Sequence, residues 1–137
     1  MWNAAPYQTA ERSFVTTEVQ LQKVECVARF AELFLPGLEV IGDYHSHAQW
    51  GTRLRRPLPS EMDRVDARPN MLSLIVAVNE LPERAEEARW RVERAHRVLR
   101  GELGKYHFEL AGYYSPNYGV MCKVPLTLEP EDLVELA

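Results

Sequence analysis

The chain has 137 residues, 46% of them hydrophobic and 26% charged, and a formal net charge of −4. That length holds one small domain with its own core, and that hydrophobicity excludes an intrinsically disordered chain. The excess of acids argues against nucleic acid as a partner, and no apolar run approaches the roughly 18 residues of a membrane span. In chain order, residues 10–16 predict a short β-prone strand. Thr17 can cap the next segment, where Leu21, Val24, Ala28, Ala31 and Leu35 recur at helical spacing and predict an amphipathic helix over 18–34. Pro36 and Gly37 stop it. Residues 39–45 predict a strand. Residues 48–59 carry Gly51, Pro57 and Pro59 and predict an irregular loop. Ser60 to Asp63 opens a short helix with Ser60 as N-cap, ended by Pro69 and Asn70.

Residues 71–78 form a nearly continuous apolar run, the pattern of a strand buried on both faces. Over 83–100, Trp90, Val92, Val98 and Leu99 stand among alternating Glu and Arg, which predicts a helix with a large solvated face. The arginines of that segment (Arg84, Arg89, Arg91, Arg94, Arg97, Arg100) are interleaved with glutamates and read as a salt-bridged surface, not as a site for an anion. Two more strands are predicted over 105–114 and 118–124, and Pro130 begins a last short helix. The order predicts an α/β domain over residues 1–137, a mixed central β-sheet flanked by helices. The N-terminus has neither the basic start nor the apolar stretch of a signal peptide, so a cytoplasmic protein is expected. Cys26 and Cys122 fit no disulfide or metal spacing and read as buried thiols in a reducing compartment.

The chemistry concentrates at Tyr44-His45-Ser46-His47. Side chains at i and i+2 of a strand share a face, so two imidazoles can close on one metal ion. Zinc suits imidazole, and a catalytic zinc takes three protein ligands and leaves one position open. Asp63, in the first turn of the next helix, is the nearest well-placed carboxylate. Taken in isolation, Ser60 and Asp63 read as a capping box. His96 and His107 lie in a polar segment and a strand and read as surface or core residues.

Gly42-Asp43-Tyr44-His45-Ser46-His47 followed by Pro59-Ser60-Glu61-Met62-Asp63 resembles the JAMM motif of the MPN domain family, H-S/T-H-P and then P-S-x-x-D. The resemblance runs from about Asn3 to about Tyr114. It implies the MPN, cytidine-deaminase-like architecture, with His45, His47 and Asp63 as zinc ligands and Ser60 as the catalytic hydroxyl that stabilises the oxyanion. It implies a zinc-dependent hydrolase of peptide or isopeptide bonds, acting on a protein or peptide such as a ubiquitin-like or sulfur-carrier tail. The alternative it leaves open is a zinc-binding but catalytically impaired interaction module, which would work with a partner chain or a second copy. Amidohydrolases share H-x-H but need a far longer barrel. Metallo-β-lactamases need H-x-H-x-D-H, where this chain has Ala48-Gln49-Trp50.

The sequence departs from that pattern in three places. Ala48 replaces the usual Pro, which loosens the turn after His47. The loop to Asp63 is longer than usual and basic, with Trp50, Arg53, Arg55 and Arg56; it is expected to be mobile and to border a substrate groove. The family's catalytic glutamate comes from a strand before the segment that resembles residues 3–15, so the chain is expected to be short at its N-terminus and to lack it. Glu18, Glu25 and Glu32 share one helix face and read as a solvated stripe. Glu11 alone stands near a predicted strand and is the one candidate for the general base, which is otherwise unknown.

Overall fold

The computed structural model describes residues 41–49, 51–93 and 97–127, with Arg29, Leu33 and Gly37; for residues 84–89 it describes the backbone alone. The chain divides into two compact units, Met1–Val40 and Ile41–Ala137. In the first, Arg29 and Leu33 are helical and Gly37 lies in a turn with φ 86, as the predicted 18–34 helix and its stop require. The predicted strand over 10–16 and the last helix lie outside the described residues.

The second unit is a four-stranded mixed sheet in the order β1-β2-β3-β4. Its strands are β1 (Gly42–Ala48), β2 (Met71–Glu93), β3 (Val98–Ser115) and β4 (Cys122–Val124), and one short helix, α1 (Glu61–Asp66), lies between β1 and β2. β1 pairs parallel with β2, and the other two pairings are antiparallel. Gly42 permits the close start of the first pairing, because a Cβ there would run into the Leu72 backbone. Helices flank this sheet more sparsely than the sequence pattern predicts: among the described residues of this unit α1 is the single α-helix. No helix among the described residues is long and apolar enough to cross a membrane.

The apolar run that opens β2 is not equally buried on its two faces. Ser73, Ile75, Ala77 and Asn79 are buried on one face, with Ile75 and Ala77 at 0% exposure. Leu74, Val76 and Val78 on the other are half-buried. The core gathers on the first face, where Ile75 meets Ala111 and Tyr113, with Met121 packed against them.

The predicted helix over 83–100 is instead the end of a long β-hairpin. Arg91 pairs with Arg100, Val92 with Leu99 and Glu93 with Val98. The residues Trp90-Arg91-Val92-Glu93 alternate with a period of two, which a strand satisfies and a helix does not. Arg100 Nη1 reaches Glu93 at 2.6 Å and Arg100 Nε reaches Glu109 at 2.9 Å. Arg100, one of the charges that suggested helical i,i+4 pairs, therefore finds its carboxylates across the hairpin and along its own strand. Opposite Trp90 sits Gly101, where a Cβ would collide with the indole, so the glycine makes room for the ring. Pro82 cannot donate to a ladder, and the β2–β3 register shifts between Glu80 and Ala85 around it. Cys122 is exposed at the start of β4 and is not the buried thiol the composition suggested; Cys26 lies outside the described residues.

The stretch between β1 and α1 is irregular, as expected, but it is tied down. The Arg55 N–H donates to Asn79 Oδ1 at 2.7 Å, and Asn79 Nδ2 donates back to the Arg55 carbonyl at 3.0 Å. The Tyr113 hydroxyl donates to the Pro57 carbonyl at 2.8 Å. Residues 53–58 thus form a strap across the buried face of the sheet. Replacing Asn79 with Ala leaves two backbone groups of Arg55 without partners and should cost about 2 kcal/mol. Urea unfolding of Asn79→Ala checks the loss, and hydrogen exchange should localise the new opening to 53–58.

Candidate metal centre

β1 carries His45 and His47 on one face because they are two residues apart in a strand. Their parallel partners on β2 are Ile75 and Ala77, so both imidazoles rise from the buried face of the sheet. The ring centroids lie 5.1 Å apart, tilted by 48°. Small Ala77 beside His47 leaves the second ring free of a bulky neighbour on that strand.

α1 delivers the third group. Ser60 is its N-cap and Asp63 its third helical residue, and the capping box is complete. The Ser60 N–H donates to Asp63 Oδ2 at 2.6 Å, while the Asp63 N–H donates to Ser60 Oγ at 3.2 Å. This same carboxylate faces both histidines. Asp63 Oδ1 lies 3.1 Å from His45 Nε2, and Oδ2 lies 3.3 Å from His47 Nε2. The capping reading and the ligand reading of Asp63 are therefore one arrangement: the cap fixes the rotamer that presents the carboxylate to the imidazoles.

A donor set of two imidazole nitrogens and one carboxylate oxygen, all within 4.8 Å of one another, is compatible with a metal ion. With metal–ligand bonds of about 2.0–2.2 Å, tetrahedral geometry separates donors by roughly 3.4 Å; the two imidazole–carboxylate distances of 3.1 and 3.3 Å are near that value. His45 Nε2 is shut off from solvent, with Asp63 Oδ1 3.1 Å away.

The electrostatics agree. Burial works to raise the Asp63 carboxyl, but the close imidazoles of His45 and His47 and the Ser60 cap outweigh it and hold it well below the usual carboxylate range. The contact with Asp63 holds His45 above its ordinary value; burial opposes this, and the charges of Asp63 and Asp43 add to it.

Residues that sequence reasoning missed hold this geometry from outside. Gln49 latches the end of β1: its N–H donates to the Val78 carbonyl at 2.8 Å, and its Oε1 accepts from the Glu80 N–H at 2.8 Å. Arg55 Nε donates to the Ala48 carbonyl at 3.2 Å, so a hydrogen bond holds the turn that Ala48, in place of a proline, was expected to loosen. Asn79 and Tyr113 hold the strap. Of these, only Asn79 left a signal, as a polar residue closing an apolar run. Ser60 is exposed, and its Oγ accepts a hydrogen bond, which leaves its proton available to a ligand. His107 lies 3.7 Å from Glu102 and 3.6 Å from Glu109, in a polar group on the hairpin apart from the cluster. Trp50, His96 and the glutamates Glu11, Glu18, Glu25 and Glu32 lie outside the described residues.

These shifts make the site pH-dependent. In metal-free protein the raised His45 contributes stability below its ordinary value of about 6.5 and loses it as pH rises through the folded value. The lowered Asp63 contributes above about 3.9 and loses it as pH falls further. Metal requires the neutral imidazole and competes with the proton. Added zinc should therefore raise the melting temperature more at about pH 8 than at about pH 5.5, and His45→Ala should remove most of that difference. Thermal melts at the two pH values, with and without zinc, check it.

The comparisons with known proteins bear on the same segment. A family model described as prokaryotic homologs of the JAB domain matches residues 2–93, which include both histidines, α1 and all of β2. No curated protein and no solved structure matches the chain significantly. The match covers more than half of the chain, and the chain belongs to the prokaryotic homologs of the JAB domain.

Proposed function

We propose that this chain is a zinc-dependent hydrolase of peptide or isopeptide bonds, with His45, His47 and Asp63 as the zinc ligands and Ser60 as an oxyanion donor. The observation that carries the reading is the convergence of two imidazoles and a capped carboxylate, with donor atoms within 4.8 Å of one another. Zinc at such a site supplies Lewis acidity, polarising a carbonyl and bringing the pKa of water toward about 7. The protein's own part is positional. The capping box holds Asp63 in the ligand rotamer, and the Ser60 hydroxyl, with its proton free, donates to the oxygen where negative charge develops. The substrate is a protein or peptide, with the tail of a ubiquitin-like or sulfur-carrier protein as its model.

The second reading is a metal-holding interaction module of the same family with weak turnover. Hydrolysis needs a base beside the attacking water, and Glu11, Glu18, Glu25 and Glu32 lie outside the described residues. Without such a base, turnover falls by roughly 10²–10⁴-fold. Glu11 is the candidate within the chain, and a partner chain is the other source.

Cleavage of a ubiquitin-like tail, linked through a peptide and through an isopeptide bond, separates the readings. The zinc-loaded chain should cleave slowly, His47→Ala should abolish cleavage, and Glu11→Gln should leave the slow rate unchanged. No cleavage above buffer with zinc bound contradicts the hydrolase and leaves the module. Robust turnover that disappears in Glu11→Gln, with zinc retained, makes Glu11 the base.

A further inference from the structure

The strap over residues 53–58 has side chains that the metal centre does not use. Its backbone is held at Arg55 by Asn79 and at Pro57 by Tyr113. Asn79 lies one same-face step beyond Ala77, the neighbour of His47. Tyr113 pairs with Ser73, one same-face step before Ile75, the neighbour of His45. The strap therefore borders the cluster, and α1 brings Asp63 back to the histidines directly after it.

With the backbone fixed, four of the six strap side chains face solvent. Arg53 and Arg56 are exposed, Leu54 is 64% exposed and Leu58 is 54% exposed. Charge is distributed unevenly here. The chain as a whole carries −4, yet residues 51–68 hold five arginines against three acids, one of them Asp63 itself. Arg100 and Lys105 on the hairpin have carboxylate partners. Among the described residues, Arg53 and Arg56 have none.

Resting on the hydrolase reading above, we propose that the strap selects a substrate segment with acidic side chains next to apolar ones, close to the scissile bond. Arginine suits the task, because its planar fork pairs with a carboxylate through two hydrogen bonds. Exposed leucines beside the two guanidiniums give the neighbouring apolar side chains a surface to cover. Preformed backbone hydrogen bonds reduce the ordering cost of binding. The exposed Leu54 and Leu58 beside the guanidiniums favour an acidic peptide with apolar side chains over nucleic acid.

The test uses the full chain loaded with zinc and a peptide of alternating glutamate and leucine around a central glycine pair. Its counterpart carries glutamine for glutamate. By calorimetry, the glutamine peptide should bind about tenfold more weakly than the glutamate peptide. Arg53→Gln/Arg56→Gln should weaken the glutamate peptide by a similar factor and leave the glutamine peptide unchanged, so the two losses do not add. Equal affinity for the two peptides, or no binding of either, overturns the proposal. So does an oligodeoxynucleotide of equal charge that binds as tightly as the glutamate peptide. Metal content measured on the same samples separates the failures. Bound zinc with no charge preference rejects the strap proposal alone, whereas protein that takes up no zinc rejects the reading beneath it.

Discussion

The site depends on a single carboxylate with two jobs. Asp63 closes the capping box of α1 and at the same time stands against His45 and His47. A side chain held at its root by a helix cap has little rotamer freedom left, so the cap preorganises the ligand. The helix itself buries none of its residues. Its stability therefore rests on the cap and on what the carboxylate contacts, which couples helix, cap and ligand set into one unit. A metal ion engaging Asp63 would tighten all three. This is the physical sense in which metal binding and local folding would be linked here.

The sheet supplies the other half of the geometry. Parallel pairing sets His45 beside Ile75 and His47 beside Ala77, two positions with no exposure, so the imidazoles rise from a rigid floor. The strap crosses that floor and is tied to it by side chains from β2 and β3. Tyr113 must keep its proton to donate to Pro57. Burial pushes its hydroxyl up and Arg64 pulls it partly back, and the net shift favours the protonated phenol. A longer link between the ligands than the family pattern has is thereby made compatible with a fixed site, since closure entropy grows only slowly with length.

The parts legible in the sequence were those set by short-range spacing. His45 and His47 are two apart in a strand, Ser60 and Asp63 three apart in a helix, and each pair meets through backbone geometry alone. The family resemblance rested on the same residues. The parts that were not legible depend on partners far along the chain. Asn79 reaching Arg55, Tyr113 reaching Pro57 and Gln49 reaching β2 leave no periodic trace. The hairpin end was misread because Glu and Arg in alternation satisfy helical and cross-strand pairing alike. Pro82 and the alternation of Trp90 and Val92 with Arg91 and Glu93 held the contrary signal. Exposure of Cys122 was equally invisible, because it comes from a position at the start of a short edge strand.

Metal content measured by inductively coupled plasma mass spectrometry tests the central claim most directly. It compares the parent chain with His45→Ala/His47→Ala, both dialysed against excess zinc and then against metal-free buffer. The predicted result is about one zinc per parent chain and almost none in the variant, with circular dichroism showing the sheet retained. Stoichiometric zinc in the folded double variant would contradict it, because the metal would then be held by residues other than the two histidines of β1.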